Sequence, residues 1–123
     1  MHRISKILTG LIAALHLYIA WFEIFAWTTK GPKIFASLPK DLFEPTMSMA
    51  ANQGLYNAFL ASGLIWSLTI KDRVWSKNIA LFFLACIAIA GIFGAFTVST
   101  NIVFVQTVPA IIAMILAWVS RKG

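Results

Sequence analysis

The chain has 123 residues, 60% of them hydrophobic and 11% charged, with a net charge of +6 at pH 7. A soluble domain carries about a quarter charged residues. This balance, with a mean hydropathy of +0.85, therefore points to the membrane class and to one domain over residues 1–123. The single cysteine, Cys86, excludes an internal disulfide and any paired-cysteine zinc or redox motif. The basic residues flank apolar runs instead of lining a stripe, which argues against nucleic acid and for contact with lipid headgroups.

The first apolar run predicts a helix over about residues 4–27. Its start, Met1-His2-Arg3-Ile4-Ser5-Lys6, has the shape of a signal peptide. The run outlasts a typical apolar core of ~7–15 residues, and Tyr18, Trp21, Phe22 and Trp27 leave no small-residue cleavage pattern, so it reads as an uncleaved helix. His16 and Glu23 sit inside it, seven residues apart, which is close to two turns and puts both on one face. An imidazole and an acid at membrane depth are costly, and they are usually retained to bind or relay something.

A long connection, Thr28 to Thr46, follows and carries Pro32, Pro39 and Pro45. Phe35, Leu38 and Leu42 recur at helical spacing, as expected of a short amphipathic piece on the outer surface or of a packed connector. The second span, about 47–70, has no charge between Pro45 and Ile70. Asn52, Gln53, Tyr56 and Asn57 fall in one broad arc with Leu60 and Gly63. Gly54, Ala58 and Ala61 fall nearly opposite, where small residues let another helix, or a second copy of the chain, approach closely.

From Asn78 to Ser120 there is no charge, about twice the ~20 residues one membrane helix needs, so the stretch must fold back. Ser, Thr and Asn cluster at Thr97 to Asn101 and suit helix ends. The expected spans are 78–96, a scaffold with Ala88, Gly91 and Ala95 on one stripe, and 102–119, which holds Gln106. Pro109 in the latter frees a carbonyl near Val105. Trp27 and Trp75 suit membrane boundaries.

Of the basic residues, Arg3, Lys6, Lys71, Arg73, Lys77, Arg121 and Lys122 fall on one side of such a four-span arrangement and Lys30, Lys33 and Lys40 on the other. The positive-inside rule then places both termini in the cytoplasm. The expected fold is all-α, a four-helix transmembrane bundle with one long external loop between the first two helices. Depth along the helices sorts the polar residues into two levels: Glu23, Asn52, Gln53 and Gln106 in the outer half, His16 and Asn57 near the midplane. Unsatisfied polar groups are expensive in hydrocarbon, so these should turn inward and meet. The plainer reading is interhelical glue worth ~0.6 kcal/mol per bond.

No metal and no cofactor is expected. The Glu-x-x-His pair of di-iron bundles is absent, His16 and Glu23 are too far apart to share one ion, and His2 lies at the other end of the helix. No Ser-His-Asp, phosphate-binding or haem-attachment motif is present. Any chemistry would be acid–base work by Glu23 or His16.

Several blocks resemble a known family: His16-Leu17-Tyr18 leading to Glu23; Phe25-x-Trp27-Thr28-Thr29; Ala50-Ala51-Asn52-Gln53-Gly54-Leu55-Tyr56-Asn57-Ala58-Phe59-Leu60-Ala61; and Gln106-Thr107-Val108-Pro109-Ala110. Together they are similar to domain of unknown function family 1304, small bacterial integral membrane proteins, of which the Asn-Gln-Gly-x-Tyr-Asn block is the most specific piece. The resemblance implies a multi-pass protein of the bacterial cytoplasmic membrane and supplies no reaction. The residues favour binding of a small or lipid-soluble molecule in a polar cavity lined by His16, Glu23, Asn52, Gln53, Tyr56, Asn57 and Gln106. A proton-coupled transporter is disfavoured by the strong charge bias and the long loop. A membrane enzyme or quinone-linked subunit would need a cofactor-bearing partner, and a purely structural component would use the polar layer only to fix helix register.

Overall fold

Apart from Glu23, the charged residues gather at the ends of the apolar runs, and each run folds as helix. The computed structural model describes residues 1–119, which form five α-helices and no strand. They are α1 (Arg3–Phe25), α2 (Trp27–Ile34), α3 (Met47–Thr69), α4 (Arg73–Thr97) and α5 (Val108–Val119), with a 3-10 turn at Lys40–Leu42 and a π-helical turn at Val103–Thr107. Arg121 and Lys122, which weigh in the charge bias, lie outside the described residues. Helices α1 and α4 are long and apolar enough to cross a membrane, and Val103–Val119 is a shorter apolar stretch. Helix α3 matches α1 at 23 residues, but Asn52, Gln53 and Asn57 dilute its apolarity.

The start of α4 shows why apolarity alone misplaces a boundary. The apolar run begins at Asn78, yet the helix begins at Arg73. Asp72 Oδ1 accepts from the backbone N–H groups of Val74 at 2.9 Å and Trp75 at 3.0 Å, capping donors that have no partner within the helix. At the other end the chain turns at Val98–Thr100, inside the Ser/Thr/Asn cluster.

The helices gather into two compact units, one made of Met1–Ala13 and Leu60 onward, the other of Ala14–Phe59. In the first, Ile12 and Ala13 of α1, Leu64 of α3, Ala80, Leu84, Ile87 and Ala88 of α4, and Ala110 and Ala113 of α5 form one core. Alanines line α5's buried face at Ala110, Ala113 and Ala117, so that helix packs with its backbone close to its neighbours. The closest approach joins α4 to the π-helical turn. Thr107 Oγ1 donates to the Ala88 carbonyl at 2.9 Å, and a side chain at Gly91 would collide with Thr107 Oγ1. The π-helical turn follows from Pro109, which has no amide hydrogen and whose ring crowds the Val105 carbonyl. The Val108 N–H reaches five residues back, to the Val103 carbonyl.

In the second unit the connection after α1 is a packed plug. Trp27 lies with its ring centroid 5.1 Å from Phe43, 5.8 Å from Phe35 and 5.9 Å from Phe22. Its Nε1 donates to Thr46 Oγ1 at 3.0 Å, so this tryptophan serves the plug. Of the expected amphipathic trio, Leu42 is 42% exposed, while its neighbour Phe43 is 2% exposed and closes over Gly31. Trp27, Phe35 and Phe43 thus pack against one another within the connector. Within the same unit α1 meets α3 at Gly54, where an added Cβ would lie 2.9 Å from the Ala20 carbonyl oxygen and 3.1 Å from Glu23 Cβ.

Two contrasts test this packing by thermal unfolding of the purified protein. Gly54→Ala has a backbone carbonyl in its way and should lose about 1–3 kcal/mol. Gly10→Ala, whose nearest neighbour is Leu68 Cδ1 at 3.7 Å, should be neutral or gain about 0.5–1 kcal/mol through helix propensity. Gly91→Val should cost at least as much as Gly54→Ala, whereas Thr107→Val, which keeps the shape and loses one hydrogen bond, should cost about 1 kcal/mol. Equal effects at Gly10 and Gly54 would refute the close approach.

Candidate functional site

Helix α1 buries one stripe: Ser5, Thr9, Ile12, His16 and Ala20 are all at most 5% exposed and recur at intervals of three or four residues. Glu23 extends the stripe and is half-buried. Helix α3 buries Ala50, Gly54, Asn57, Ala61 and Leu64, at the same intervals. Asn57 therefore shares the face of the small residues Gly54 and Ala61, not the face opposite them. The arc that joined it to Asn52, Gln53 and Tyr56 is corrected: those three side chains are exposed.

Close approach at Gly54 brings the next turn of α3 within reach of the acid. Asn57 Nδ2 donates to Glu23 Oε1 at 2.6 Å and, at 3.3 Å, to the backbone carbonyl of Gln53. The amide is thus held by its own helix while it holds the carboxyl. Among the described residues no donor meets the second carboxyl oxygen, Oε2, and that atom is not sealed off from the surface. The arrangement leaves one oriented oxygen able to accept a hydrogen bond or exchange a proton, with its partner atom fixed by Asn57.

The two-level sorting of polar groups does not survive. Glu23 pairs with Asn57, which depth had grouped with His16. Glu23 lies two residues before the end of α1, whereas Asn57 lies ten residues into α3. Helix α3 therefore runs about two turns past the end of α1, alongside the aromatic plug. Rise also ignores rotation, which carries Asn52 and Gln53 to the outside. His16 is fully buried in α1. Gln106 is half-buried in the π-helical turn of the first unit, its Cβ against Gly91.

Buried hydroxyls form a group that the sequence reading passed over. Ser67 Oγ donates to the Leu64 carbonyl at 2.6 Å, and Ser76 Oγ to the Ser67 carbonyl at 2.6 Å, which ties the end of α3 to the start of α4. Thr9 Oγ1 is the buried side-chain polar atom without a partner among the described residues. Their signal was present in the spacing of Ser5 and Thr9 with Ile12 and His16, which repeats the stripe of a buried face.

A family described as Protein of unknown function (DUF1304) matches residues 10–118, a range that contains His16, Glu23, Asn57 and Gln106. A similar protein is the Uncharacterized protein YpaA of Lactococcus lactis subsp. lactis (strain IL1403), 28% identical over 114 residues that cover 91% of this chain and 94% of that protein. No solved structure matches the chain. With the family matched over nearly its whole length, the chain belongs to the family described as Protein of unknown function (DUF1304).

Proposed function

We propose that the chain is a single integral membrane domain, a four-helix bundle of the bacterial cytoplasmic membrane with both termini inside, and that it binds a small or lipid-soluble molecule at Glu23. Two helices long and apolar enough to span, the shorter apolar stretch Val103–Val119 and the seven-to-three split of basic residues support the architecture and orientation.

One observation carries the binding reading: Asn57 occupies Glu23 Oε1, and no donor among the described residues meets Oε2. An acid kept only to join two helices has no need of an open oxygen, because burying polar atoms unpaired is costly. A ligand with a hydroxyl or amide hydrogen fits that oxygen, with apolar surroundings for the remainder. His16, Asn52, Gln53, Tyr56 and Gln106 belong to the proposal only as far as a ligand reaches them; Asn57 is its positioning group.

Glu23→Gln keeps an oxygen for Asn57 and removes the acid. Its Tm should stay within about 3 °C of wild type, while small molecules extracted from the purified protein should lose a component that wild type retains. Asn57→Leu removes the donor and should lower the Tm by a few degrees, since such bonds are worth ~0.6–1.7 kcal/mol. A large Tm loss in Glu23→Gln with an unchanged extract would assign Glu23 to helix joining and refute the binding site. For the orientation, a reporter enzyme fused after Gly123 should be active only in the cytoplasm, and external activity would reverse it.

A further inference from the structure

Glu23 stands at the negative end of α1. The helix ends two residues later, at Phe25, and the chain bends at Ala26 before α2 begins. The Ala26 N–H takes up the Phe22 carbonyl at 2.9 Å, and the Lys30 N–H takes up the Ala26 carbonyl at 2.9 Å. The carbonyls between them, those of Glu23, Ile24 and Phe25, lie beyond what a helix can satisfy for itself. End carbonyls and aligned peptide dipoles give a helix C-terminus a negative potential, which suits a cation and disfavours an acid. Here the acid is present, and α1 has no basic residue in its last turn.

The rest of the second unit does not supply the missing charge. Burial and the Asn57 bond act on the Glu23 carboxyl, and no charged side chain does. Lys30, the nearest lysine along the chain, stands with Nζ 5.0 Å over the Trp21 ring. Trp21 leaves α1 about 200° round from Glu23, on the far side of the helix. Lys33 and Lys40 are exposed on the connector, and no ion pair reaches Glu23 among the described residues.

Asn57 meanwhile takes one carboxyl oxygen and leaves Oε2 open. A metal ion needs several oxygens around it, and no group of three or more acids, histidines or cysteines that could hold one occurs among the described residues. A single open oxygen suits a hydrogen-bond donor, and the uncompensated negative end of the helix suits a donor that carries positive charge. We infer that the molecule bound at Glu23 is a protonated lipophilic amine, its ammonium N–H donating to Oε2 and its apolar body on the hydrocarbon side of the helix pair. The inference rests on the reading of Glu23 as a binding site and narrows the ligand to a cation. A neutral hydroxyl or amide would fill the oxygen and leave the charge unanswered.

The test is equilibrium binding of benzylamine and benzyl alcohol, two probes of one shape, to the purified full chain in detergent at neutral pH. Partition into the micelle is the same for every variant, so differences between variants report the site. Wild type should bind benzylamine about tenfold more tightly than the alcohol, the margin of a charge-assisted hydrogen bond over a neutral one. Glu23→Gln, its fold checked by its Tm, should lose that preference, and Glu44→Gln, at an exposed acid of the connector, should keep it. The component that wild type retains through purification should bind a cation exchanger. An amine preference that survives Glu23→Gln overturns the inference, and so does a retained component without a basic nitrogen. Equal binding of the two probes that weakens in Glu23→Gln overturns the cation and leaves the Glu23 site standing. Binding of neither probe, with the same extract from wild type and Glu23→Gln, refutes the site and the inference together.

Discussion

Backbone contact between helices is the constraint from which the remaining geometry follows. Apolar helices offer few directional bonds to one another, so their register is set where two backbones come nearest. At Gly54 the α3 backbone lies against the Ala20 carbonyl, and only a hydrogen in place of a side chain allows it. That contact fixes both the rotation and the height of α3 beside α1. Asn57 and Glu23 meet as a consequence, because they lie next to the contact on the same two faces. The polar pair then reinforces a register that shape has already selected.

The same logic governs the first unit with different chemistry. Gly91 admits the π-helical turn, and Thr107 clasps the Ala88 carbonyl across the contact. Pro109 makes a regular helix impossible there, and the widened turn redirects the side chains that follow. At the widened turn the Val108 amide takes up the Val103 carbonyl, five residues back, just ahead of the proline. Ser67 and Ser76 do comparable work at the other end, where a hydroxyl of α4 satisfies a carbonyl at the end of α3.

Helix existence was legible in the sequence, because long uncharged runs have few alternatives, and the turn at Val98–Thr100 was legible in its capping residues. The start of α4 was not, because Asp72 sets it through two backbone bonds that hydropathy does not register. The buried face of α3 was not legible, because Leu, Phe and Ala occur all around the helix and polarity does not mark what faces inward. The small residues Gly54 and Ala61 were the truer guide. Glu23 was legible as an exception to its run, and its spacing from His16 put both on the buried side of α1. Its partner was not, since pairing depends on how far α3 overshoots α1, which the aromatic plug of Trp27, Phe35 and Phe43 decides.

The bond between Glu23 and Asn57 spans 34 positions of the chain. During synthesis at ~5–20 residues per second, Glu23 therefore exists for roughly two to seven seconds before its partner has been made. Through that interval α1 is a complete apolar helix with an unanswered carboxyl near its end. The plug between Trp27 and Thr46 is made first and lies entirely within the intervening stretch. It can fold the connector back on itself before Asn57 arrives, which shortens the search that α3 has to make. The order in which the chain is written is thus also the order in which its most exposed chemical liability is brought under control.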